Sequence, residues 1–244
     1  MPNFWNVINK VIRDADIILE VLDARMIEET RNKEIELKVV RSGKPLVFVI
    51  NKCDLVVPKK IKEMTKTMHP CVLVSAREKQ GIRKLREIAL SKSGTKKEVN
   101  LGIVGYPNTG KSSIINALSG SGKARTSSQS GFTKGAQNIR ASKKIHIIDT
   151  PGVIPYGEKD HIKHTLTSTV DFAHAKDPDL AVFELMKKFP GKIEEFYNVQ
   201  KMDDCEEVLE NIAIKMNKVR KGGEPDIETA SRMILKDWQK GKIL

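Results

Sequence analysis

The sequence predicts an α/β domain followed by a small all-α domain. Short apolar runs alternate with helical segments between residues 17 and 148, which is typical of a mostly parallel sheet covered by helices. From about residue 159 onward only helical periodicity is found. A chain of 244 residues accommodates one domain of about 150 residues and a smaller second one. We therefore predict domains at residues 1–156 and 157–244.

Six strands are predicted from the apolar runs. They lie at residues 17–22, 46–50, 71–74, 101–104, 135–140 and 145–148. Five are expected to be parallel, with the strand at 135–140 antiparallel at one side of the sheet. Helices are predicted at residues 30–42, 58–67, 81–91 and 112–118. An amphipathic helix is predicted to open the chain, because apolar residues there recur at helical spacing, namely Phe4, Trp5, Ile8, Val11 and Ile12.

The C-terminal domain is predicted to be a small helical bundle. Asp177-Pro178 combines a capping residue with a proline suited to the first helical position, so a helix should run from there to about Phe189. A long amphipathic helix is predicted at 203–220, ended by Gly222-Gly223, and a last helix at 226–240. Trp238 is interpreted as a core residue rather than a platform for stacking bases.

The segment Gly105–Ser112 predicts a phosphate-binding loop. Its two glycines are separated by four residues and followed by Lys and Ser, between a predicted strand and a predicted helix. Backbone N–H groups of such a loop converge on phosphate oxygens, and the helix N-terminus adds positive potential. Lys111 is expected to reach the outer phosphates, and the Ser112 hydroxyl is expected to ligate Mg²⁺.

The segment Asn51–Asp54 matches the guanine-reading tetrapeptide of GTPases, and it directly follows a predicted buried strand. The Asp54 carboxylate only accepts hydrogen bonds, which suits the adjacent N–H and NH₂ donors of guanine and rejects adenine. Lys52 can lay its aliphatic stem along the purine face. Asn51 can either bond the base or tie this loop to the phosphate loop.

Three weaker matches occur in a consistent order. Ser75-Ala76-Arg77 resembles a second base-contacting loop, and Asp149–Gly152 resembles the loop that senses the γ-phosphate. Gly131-Phe132-Thr133 offers the threonine of a first switch, a Mg²⁺ ligand in the triphosphate state. Each segment alone is an ordinary turn or helix cap, so the prediction of a GTP site depends on all five motifs together.

In an ordinary GTPase the phosphate loop precedes the guanine-reading loop, and here the order is reversed. The chain therefore resembles a circularly permuted P-loop GTPase of Ras-like fold. Asp23-Ala24-Arg25, Arg31-Asn32 and the tail segments 222–226 and 237–243 are similar to the ribosome biogenesis GTPase A family, of the YlqF and YawG type. The resemblance implies GTP binding, slow hydrolysis and a role in maturing the large ribosomal subunit or its precursor through rRNA contact.

The motifs and the resemblance together predict the site residues for GTP or GDP. The expected nucleotide-binding residues are Asn51, Lys52, Asp54, Ser75, Ala76, Arg77, Asn108, Thr109, Gly110, Lys111, Ser112, Ser113, Thr133, Asp149 and Gly152. Lys111, Thr133 and Gly152 are expected to act in hydrolysis. Ser112, Thr133 and Asp149 are the expected Mg²⁺ ligands, and Asn108 is a candidate K⁺ ligand, the alternative being that it only stabilises the loop.

The distribution of charge favours an RNA partner. Residues 1–154 hold 28 Lys and Arg against 14 Asp and Glu, whereas residues 155–244 hold 15 against 17. A basic surface attracts phosphate backbones without reading sequence, although any single lysine run can equally be a solvated helix face. No stretch of 18 uncharged apolar residues occurs, so no membrane span is expected. Three widely spaced cysteines predict a reducing, cytoplasmic location.

Hydrolysis is expected to be slow. Many GTPases place a water-orienting Gln directly after the Asp-x-x-Gly motif, and this chain has Val153 there. The predicted function is a nucleotide-dependent switch in assembly of the large ribosomal subunit. The alternative is a GTP-dependent RNA-binding adaptor with negligible hydrolysis. A small-molecule kinase fits poorly, because Asp54 favours guanine and no acceptor lid is recognisable.

Overall fold

The computed structural model describes residues 4–92, 94, 96–120 and 137–243. The chain forms two compact units, Met1–Glu158 and Lys159–Leu244. The first contains the predicted sheet and the second is helical. None of the helices in the described residues is both long enough and apolar enough to cross a membrane.

The first unit is built on one six-stranded sheet, as predicted. Its strands are β1 Ile17–Asp23, β2 Leu46–Asn51, β3 Cys71–Leu73, β4 Val99–Val104, β5 Gln137–Arg140 and β6 Ile145–Asp149. Their order across the sheet is β3-β2-β1-β4-β6-β5. Only the β5–β6 pair is antiparallel, and the other four pairings are parallel. The predicted antiparallel strand at one side of the sheet is therefore confirmed.

Helices connect the strands and cover both faces of the sheet. They are α1 Phe4–Asp14, α2 Ile27–Thr30, α3 Lys33–Arg41, α4 Pro58–Met64, α5 Ile82–Lys92 and α6 Lys111–Ser119. One buried cluster joins Leu19 and Leu101 to residues of α5 and α6. A second joins Ile18 and Val104 to residues of α1 and α3 on the opposite face. Side chains of neighbouring strand positions point to opposite faces, so both faces of the parallel strands are apolar.

The helix predicted at 30–42 corresponds to α3, Lys33–Arg41, and it is preceded by the short α2, Ile27–Thr30, which was not predicted. The Oδ1 atom of Asn32 accepts a hydrogen bond from the Ile35 N–H at 3.1 Å, which caps a new helix at that point. The preceding α2 ends at Thr30, whose hydroxyl donates to the Met26 carbonyl at 2.7 Å. The side-chain hydrogen bonds of Thr30 and Asn32 thus mark the end of α2 and the start of α3.

The second unit contains five α-helices in the described residues. They are α7 His161–Leu166, α8 Pro178–Lys188, α9 Lys192–Tyr197, α10 Cys205–Lys215 and α11 Ile227–Gln239. Trp238 is buried and its indole N–H donates to the Leu166 carbonyl at 2.9 Å. The prediction that Trp238 is a core residue is confirmed.

The helix predicted at 203–220 is shorter than expected. It ends at Lys215, because Asn217 takes a left-handed conformation with φ of 53° and the Lys218 N–H donates to the Ala213 carbonyl at 2.7 Å. This is the Schellman arrangement that stops helices, with Asn in the position usually held by Gly. Met216, which lies within the predicted helix, caps the observed one and is exposed. Gly222-Gly223 lies in a later turn and does not end the helix.

Candidate functional site

Four of the five predicted motifs lie at one edge of the sheet, and the fifth, Gly131-Phe132-Thr133, falls outside the described residues. The strands β2, β4 and β6 end at Asn51, Val104 and Asp149, and all three are parallel to β1 or to each other. Carboxyl ends of parallel strands meet at the same edge, and ligands of open α/β sheets bind there. Segments separated by about 100 residues in the sequence therefore meet in one place.

Asn51 is the residue that joins three of these loops. Its side chain is buried, and its amide N–H donates to the Thr109 carbonyl at 2.9 Å. Its Oδ1 atom accepts from the Ala76 N–H at 3.1 Å. The side chain therefore ties the guanine-reading loop to the phosphate loop, which was one of two roles the sequence left open. It also holds the second base-contacting loop, which the sequence did not indicate.

The other base-side residues differ in exposure. Asp54 is exposed in a short 3-10 turn, so its carboxylate is accessible to a ligand. Arg77 is exposed as well. Ser75 is buried, and its hydroxyl accepts from the Glu78 N–H at 3.1 Å, which shapes the turn. The Asp54 carboxylate is therefore accessible at the surface, whereas the Ser75 hydroxyl is engaged within its own turn.

The phosphate loop follows β4 and leads into α6. The first residue of α6 is Lys111, and Ser112 and Ser113 are half-buried in its first turn. Gly110 has a φ of 97°, and a Cβ atom there would lie 2.1 Å from the Asn51 Nδ2 atom. The loop therefore requires glycine at this position for its contact with Asn51.

Lys111 is folded over its own loop. Its Nζ atom donates to the carbonyls of Gly105 and Tyr106 at 3.0 and 2.6 Å. Burial lowers the pKa of Lys111 to about 8, and the nearby Asp149 carboxylate only partly opposes that shift. The ammonium group lies in a water-poor site with two carbonyl partners, where an anionic phosphate would stabilise its charge.

Asp149 is the matching buried acid. Its Oδ1 atom has no hydrogen-bond partner among the described residues. Burial raises the pKa of Asp149 to about 6, with Lys111 opposing the shift. Carboxylate and hydroxyl oxygens are the ligands that Mg²⁺ uses in phosphate sites, so Asp149 and Ser112 fit a Mg²⁺ ion. Thr133, the third predicted ligand, lies outside the described residues.

The segment after Asp149 packs directly on the phosphate loop. A Cβ atom added to Gly152 would lie 2.7 Å from the Pro107 Cα atom, so the two backbones are in close contact. The Val153 N–H donates to the Gly105 carbonyl at 3.0 Å, and its side chain is fully buried. Val153 therefore has no surface from which to orient a water molecule.

Two contacts at this site were not predicted. The Tyr106 hydroxyl donates to both carboxylate oxygens of Glu158, at 2.9 and 2.8 Å, and so attaches the end of the first unit to the phosphate loop. Asp23 pairs with Lys52 at 2.7 Å. The sequence marks Asp23-Ala24-Arg25 as a feature shared with the family but does not indicate what these residues do. An ionisable pair at the end of a buried strand was the available signal.

Two protein-family models match the chain. The model described as RsgA GTPase matches residues 13–157, which is more than half of the sequence. The model described as 50S ribosome-binding GTPase matches residues 100–218.

Several curated proteins are similar over nearly the whole chain. An uncharacterized GTP-binding protein of Methanocaldococcus jannaschii is 41% identical over 97% of this chain and 65% of its own length. Nucleolar GTP-binding protein 2 of Saccharomyces cerevisiae is 34% identical over 98% of this chain and 52% of its own length. The chain thus spans about half to two thirds of the length of these relatives.

Solved structures establish the fold. A GNP-bound YlqF from T. maritima matches 98% of this chain and 94% of its own, with a TM-score of 0.66 and 23% identity. A GDP-bound YlqF matches 96% of this chain and 94% of its own, with a TM-score of 0.67 and 24% identity. The chain has the same circularly permuted α/β fold followed by helices, as the order of its motifs predicts.

Proposed function

This chain belongs to the RsgA GTPase family, and we propose that it binds GTP, hydrolyses it slowly and acts as a nucleotide-dependent switch in assembly of the large ribosomal subunit. The observation that carries the proposal is the Asn51 side chain, which ties the guanine-reading loop to the phosphate loop. The ribosomal part is supported by the 50S ribosome-binding description of one matching family and by the nucleolar relatives.

Guanine selection is assigned to Asp54. Its exposed carboxylate offers two acceptor oxygens to the paired donors on the guanine edge. Asn51 holds the reading loop against the phosphate loop and bonds the Ala76 N–H, so Ala76 and Arg77 would border the base from the neighbouring loop. ATP lacks the matching donors and would leave the carboxylate unpaired.

The phosphates are assigned to the loop that ends at Ser112. Lys111 would exchange its two carbonyl partners for phosphate oxygens, and the N–H groups of Gly110 and the first turn of α6 would surround the same charge. Ser112 and Asp149, with Thr133, would hold Mg²⁺. A bound Mg²⁺ supplies charge neutralisation between the phosphates.

Turnover is proposed to be slow without help, because Val153 is buried where many GTPases carry a water-orienting Gln. Asn108 is a candidate ligand for K⁺, which would add positive charge near the transferring phosphate. Equal turnover rates in K⁺ and Na⁺ would eliminate this role.

Release of the γ-phosphate at Gly152 is proposed to alter residues 155–175, and hydrogen exchange in GTP-analogue and GDP states measures that change.

The partner is proposed to be rRNA in the large subunit or its precursor, in the cytoplasm. The excess of basic residues in 1–154 supports contact with phosphate backbones. Association that weakens steeply with salt is expected. Unchanged association between 50 and 300 mM salt would contradict an rRNA contact.

The base-reading role can be tested with a single exchange of hydrogen-bonding character. Asp54→Asn replaces an acceptor by a donor, which suits the C2 carbonyl of xanthine instead of the C2 amine of guanine. We expect about 100-fold weaker GTP binding and a gain for xanthosine triphosphate, measured by calorimetry. Asp203→Asn, an exposed aspartate of the second unit, is the control and should bind as the unmodified protein does. Equal affinity for ATP and GTP in the unmodified protein would refute the assignment.

The switch role is tested by GTP turnover with and without large ribosomal subunits. Stimulation by the subunits supports the switch. Binding to subunits in the GTP state with no turnover under any condition would favour the alternative, a GTP-dependent RNA-binding adaptor, to which the burial of Val153 also points.

A further inference from the structure

The Asp23 carboxylate at the end of β1 forms a buried ionic cluster with two basic side chains. Arg25 donates from Nε to Oδ1 at 3.1 Å and from its terminal nitrogen to Oδ2 at 2.8 Å. Lys52, the second residue of the guanine-reading loop, donates from Nζ to Oδ2 at 2.7 Å. Neither Asp23 nor Arg25 belongs to the nucleotide contacts assigned above.

Strand pairing sets the geometry of this cluster. Asp23 is the register partner of Asn51 in the parallel β1–β2 pair. The Ala24 N–H also donates to the Asn51 carbonyl at 2.8 Å. The carboxylate is therefore fixed next to the point where the reading loop leaves the sheet, independently of any ligand.

The backbone of Lys52 gives a second, independent sign that its orientation is imposed. Its φ and ψ are 62° and 32°, in the left-handed region that residues other than Gly, Asn and Asp rarely adopt. Such conformations persist only where the surrounding structure over-determines them, and they concentrate at functional sites. Lys52 is thus held at both ends of its side chain, by its backbone conformation and by the ion pair.

The cluster is closed to water at its acidic centre. Asp23 is 2% exposed and Arg25 is 3% exposed, whereas the Lys52 side chain is 22% exposed. Burial alone would raise the pKa of Asp23, but the charges of Arg25 and Lys52 hold it well below its ordinary value. Arg25 therefore keeps the carboxylate ionised, and Lys52 is the one member of the three with surface left for a ligand.

We propose that Asp23 is a positioning residue for the guanine base. This role rests on the proposed function. The Asp23 carboxylate draws the Lys52 ammonium inward, so that the aliphatic stem of Lys52 forms the surface on which the purine lies. Arg25 braces the Asp23 carboxylate, and Asp54, two residues after Lys52, reads the base edge. Asp23 acts on the face of the purine and not on its edge or on the phosphates.

This role predicts a specific pattern of affinities. Loss of the Asp23 charge should weaken the binding of GDP and of a non-hydrolysable GTP analogue by the same factor, about tenfold, because both nucleotides carry the same base. The preference for guanosine over inosine nucleotides should stay unchanged, since Asp54 still reads the edge. Turnover at saturating GTP should be retained while KM rises.

The test uses Asp23→Asn, Lys52→Met and the double variant. Lys52→Met keeps an unbranched apolar stem and leaves the Asp23–Arg25 pair intact. If Asp23 acts through Lys52, Asp23→Asn causes no further loss in the Lys52→Met background. Asp23→Asn combined with Arg25→Gln removes both buried charges, and it replaces the single variant if an unpaired Arg25 prevents folding. Glu87→Gln, in the exposed Arg83–Glu87 pair, is the control.

Unchanged guanine-nucleotide affinity in these Asp23 variants would overturn the proposal, even if their thermal stability falls. Independent, additive losses from Asp23→Asn and Lys52→Met would overturn it as well. A failure of the proposed function is a different result, because the unmodified protein itself would then bind no GTP or bind ATP equally well.

Discussion

The guanine-reading side of the site and its phosphate side differ in what their buried polar groups contact. On the reading side, the Asn51 amide bonds two other loops and Lys52 is paired with Asp23. On the phosphate side, Lys111 has two backbone carbonyls as partners, and the Asp149 Oδ1 atom has none among the described residues. The buried groups of the first side have protein partners, whereas those of the second are the ones that we propose a phosphate and a cation would satisfy.

The pKa shifts on the two sides reflect this difference. On the phosphate side, burial raises the pKa of Asp149 to about 6 and lowers that of Lys111 to about 8, so both charged forms are disfavoured. On the reading side, Arg25 and Lys52 outweigh burial and lower the pKa of Asp23, although burial still lowers the pKa of Lys52 against the opposing charge of Asp23. Both patterns follow from the rule that buried charges need partners. The Asp23 carboxylate has protein partners, whereas Lys111 and Asp149 are proposed to gain theirs from the ligand.

The largest expected effect separates binding from stability. Lys111→Ala should weaken GTP binding by about 100-fold or more, since charge-assisted bonds to phosphate are lost. Its free energy of unfolding should change by less than about 1 kcal/mol, because the cost of burying the ammonium offsets its two hydrogen bonds to the Gly105 and Tyr106 carbonyls.

Asn51→Ala is the matched variant on the reading side. It should lose both GTP binding and about 2–3 kcal/mol of stability, as two buried hydrogen bonds disappear. Calorimetry and urea unfolding measure the two quantities. Equal losses of stability in Lys111→Ala and Asn51→Ala would remove the distinction between the two sides.

A second prediction concerns the contact between the sides. Gly110→Ala places a Cβ atom 2.1 Å from the Asn51 Nδ2 atom at a φ of 97°. We expect a loss of about 2–3 kcal/mol in unfolding free energy, from backbone strain together with the displaced Asn51 amide. Gly120→Ala is the control, because Gly120 has a φ of 66° but no atom of the described part of the chain lies within 4 Å of its added Cβ atom. The unfolding free energy of Gly120→Ala should fall by about 1 kcal/mol. Equal losses for the two variants would contradict the role of Asn51 in tying the two loops together.

The third prediction is the opposite pH dependence of two aspartates in the nucleotide-free protein. Asp149 has a raised folded-state pKa of about 6, so its stabilising contribution is present below its ordinary pKa of 3.8 and is lost as pH rises through 6. Asp149→Asn should therefore flatten the stability profile between pH 4 and 6, gaining up to about 3 kcal/mol at pH 7. Asp23 has a lowered pKa, so its contribution is lost only as pH falls below about 4. Parallel profiles for Asp149→Asn and the unmodified protein in urea unfolding would rule this out.

The smallest expected effect tests the attachment of the segment behind the phosphate loop. Tyr106→Phe removes the hydrogen bond to the half-exposed Glu158 and should cost about 1 kcal/mol. Amide exchange in residues 154–158 should rise, while GTP affinity changes less than about twofold. Tyr156→Phe, at an 86% exposed position, should leave exchange unaltered. Unchanged exchange in both variants would show that other contacts hold the segment.

The sequence by itself determined the strands and the order of the motifs, and it indicated the loops that are proposed to form the site. These features are local, since an apolar run, a glycine pair or an Asn-Lys-x-Asp turn is encoded within a few neighbouring residues. It also determined that Val153 occupies a position where many GTPases have Gln. It placed the end of α10 wrongly, because a left-handed Asn217 gives a much weaker stop signal than the glycines that follow.

Only the tertiary structure decided which side chains complete one another. Asn51 meets Thr109 across 58 positions of sequence, and Lys52 meets Asp23 across 29. The burial of Val153 also arises from packing between distant segments, as does the position of the Asp149 Oδ1 atom, which has no hydrogen-bond partner among the described residues. Hydrogen bonds, burial and the resulting pKa shifts depend on distances in space, and the chain specifies those distances only after the strands have paired and the helices have covered them.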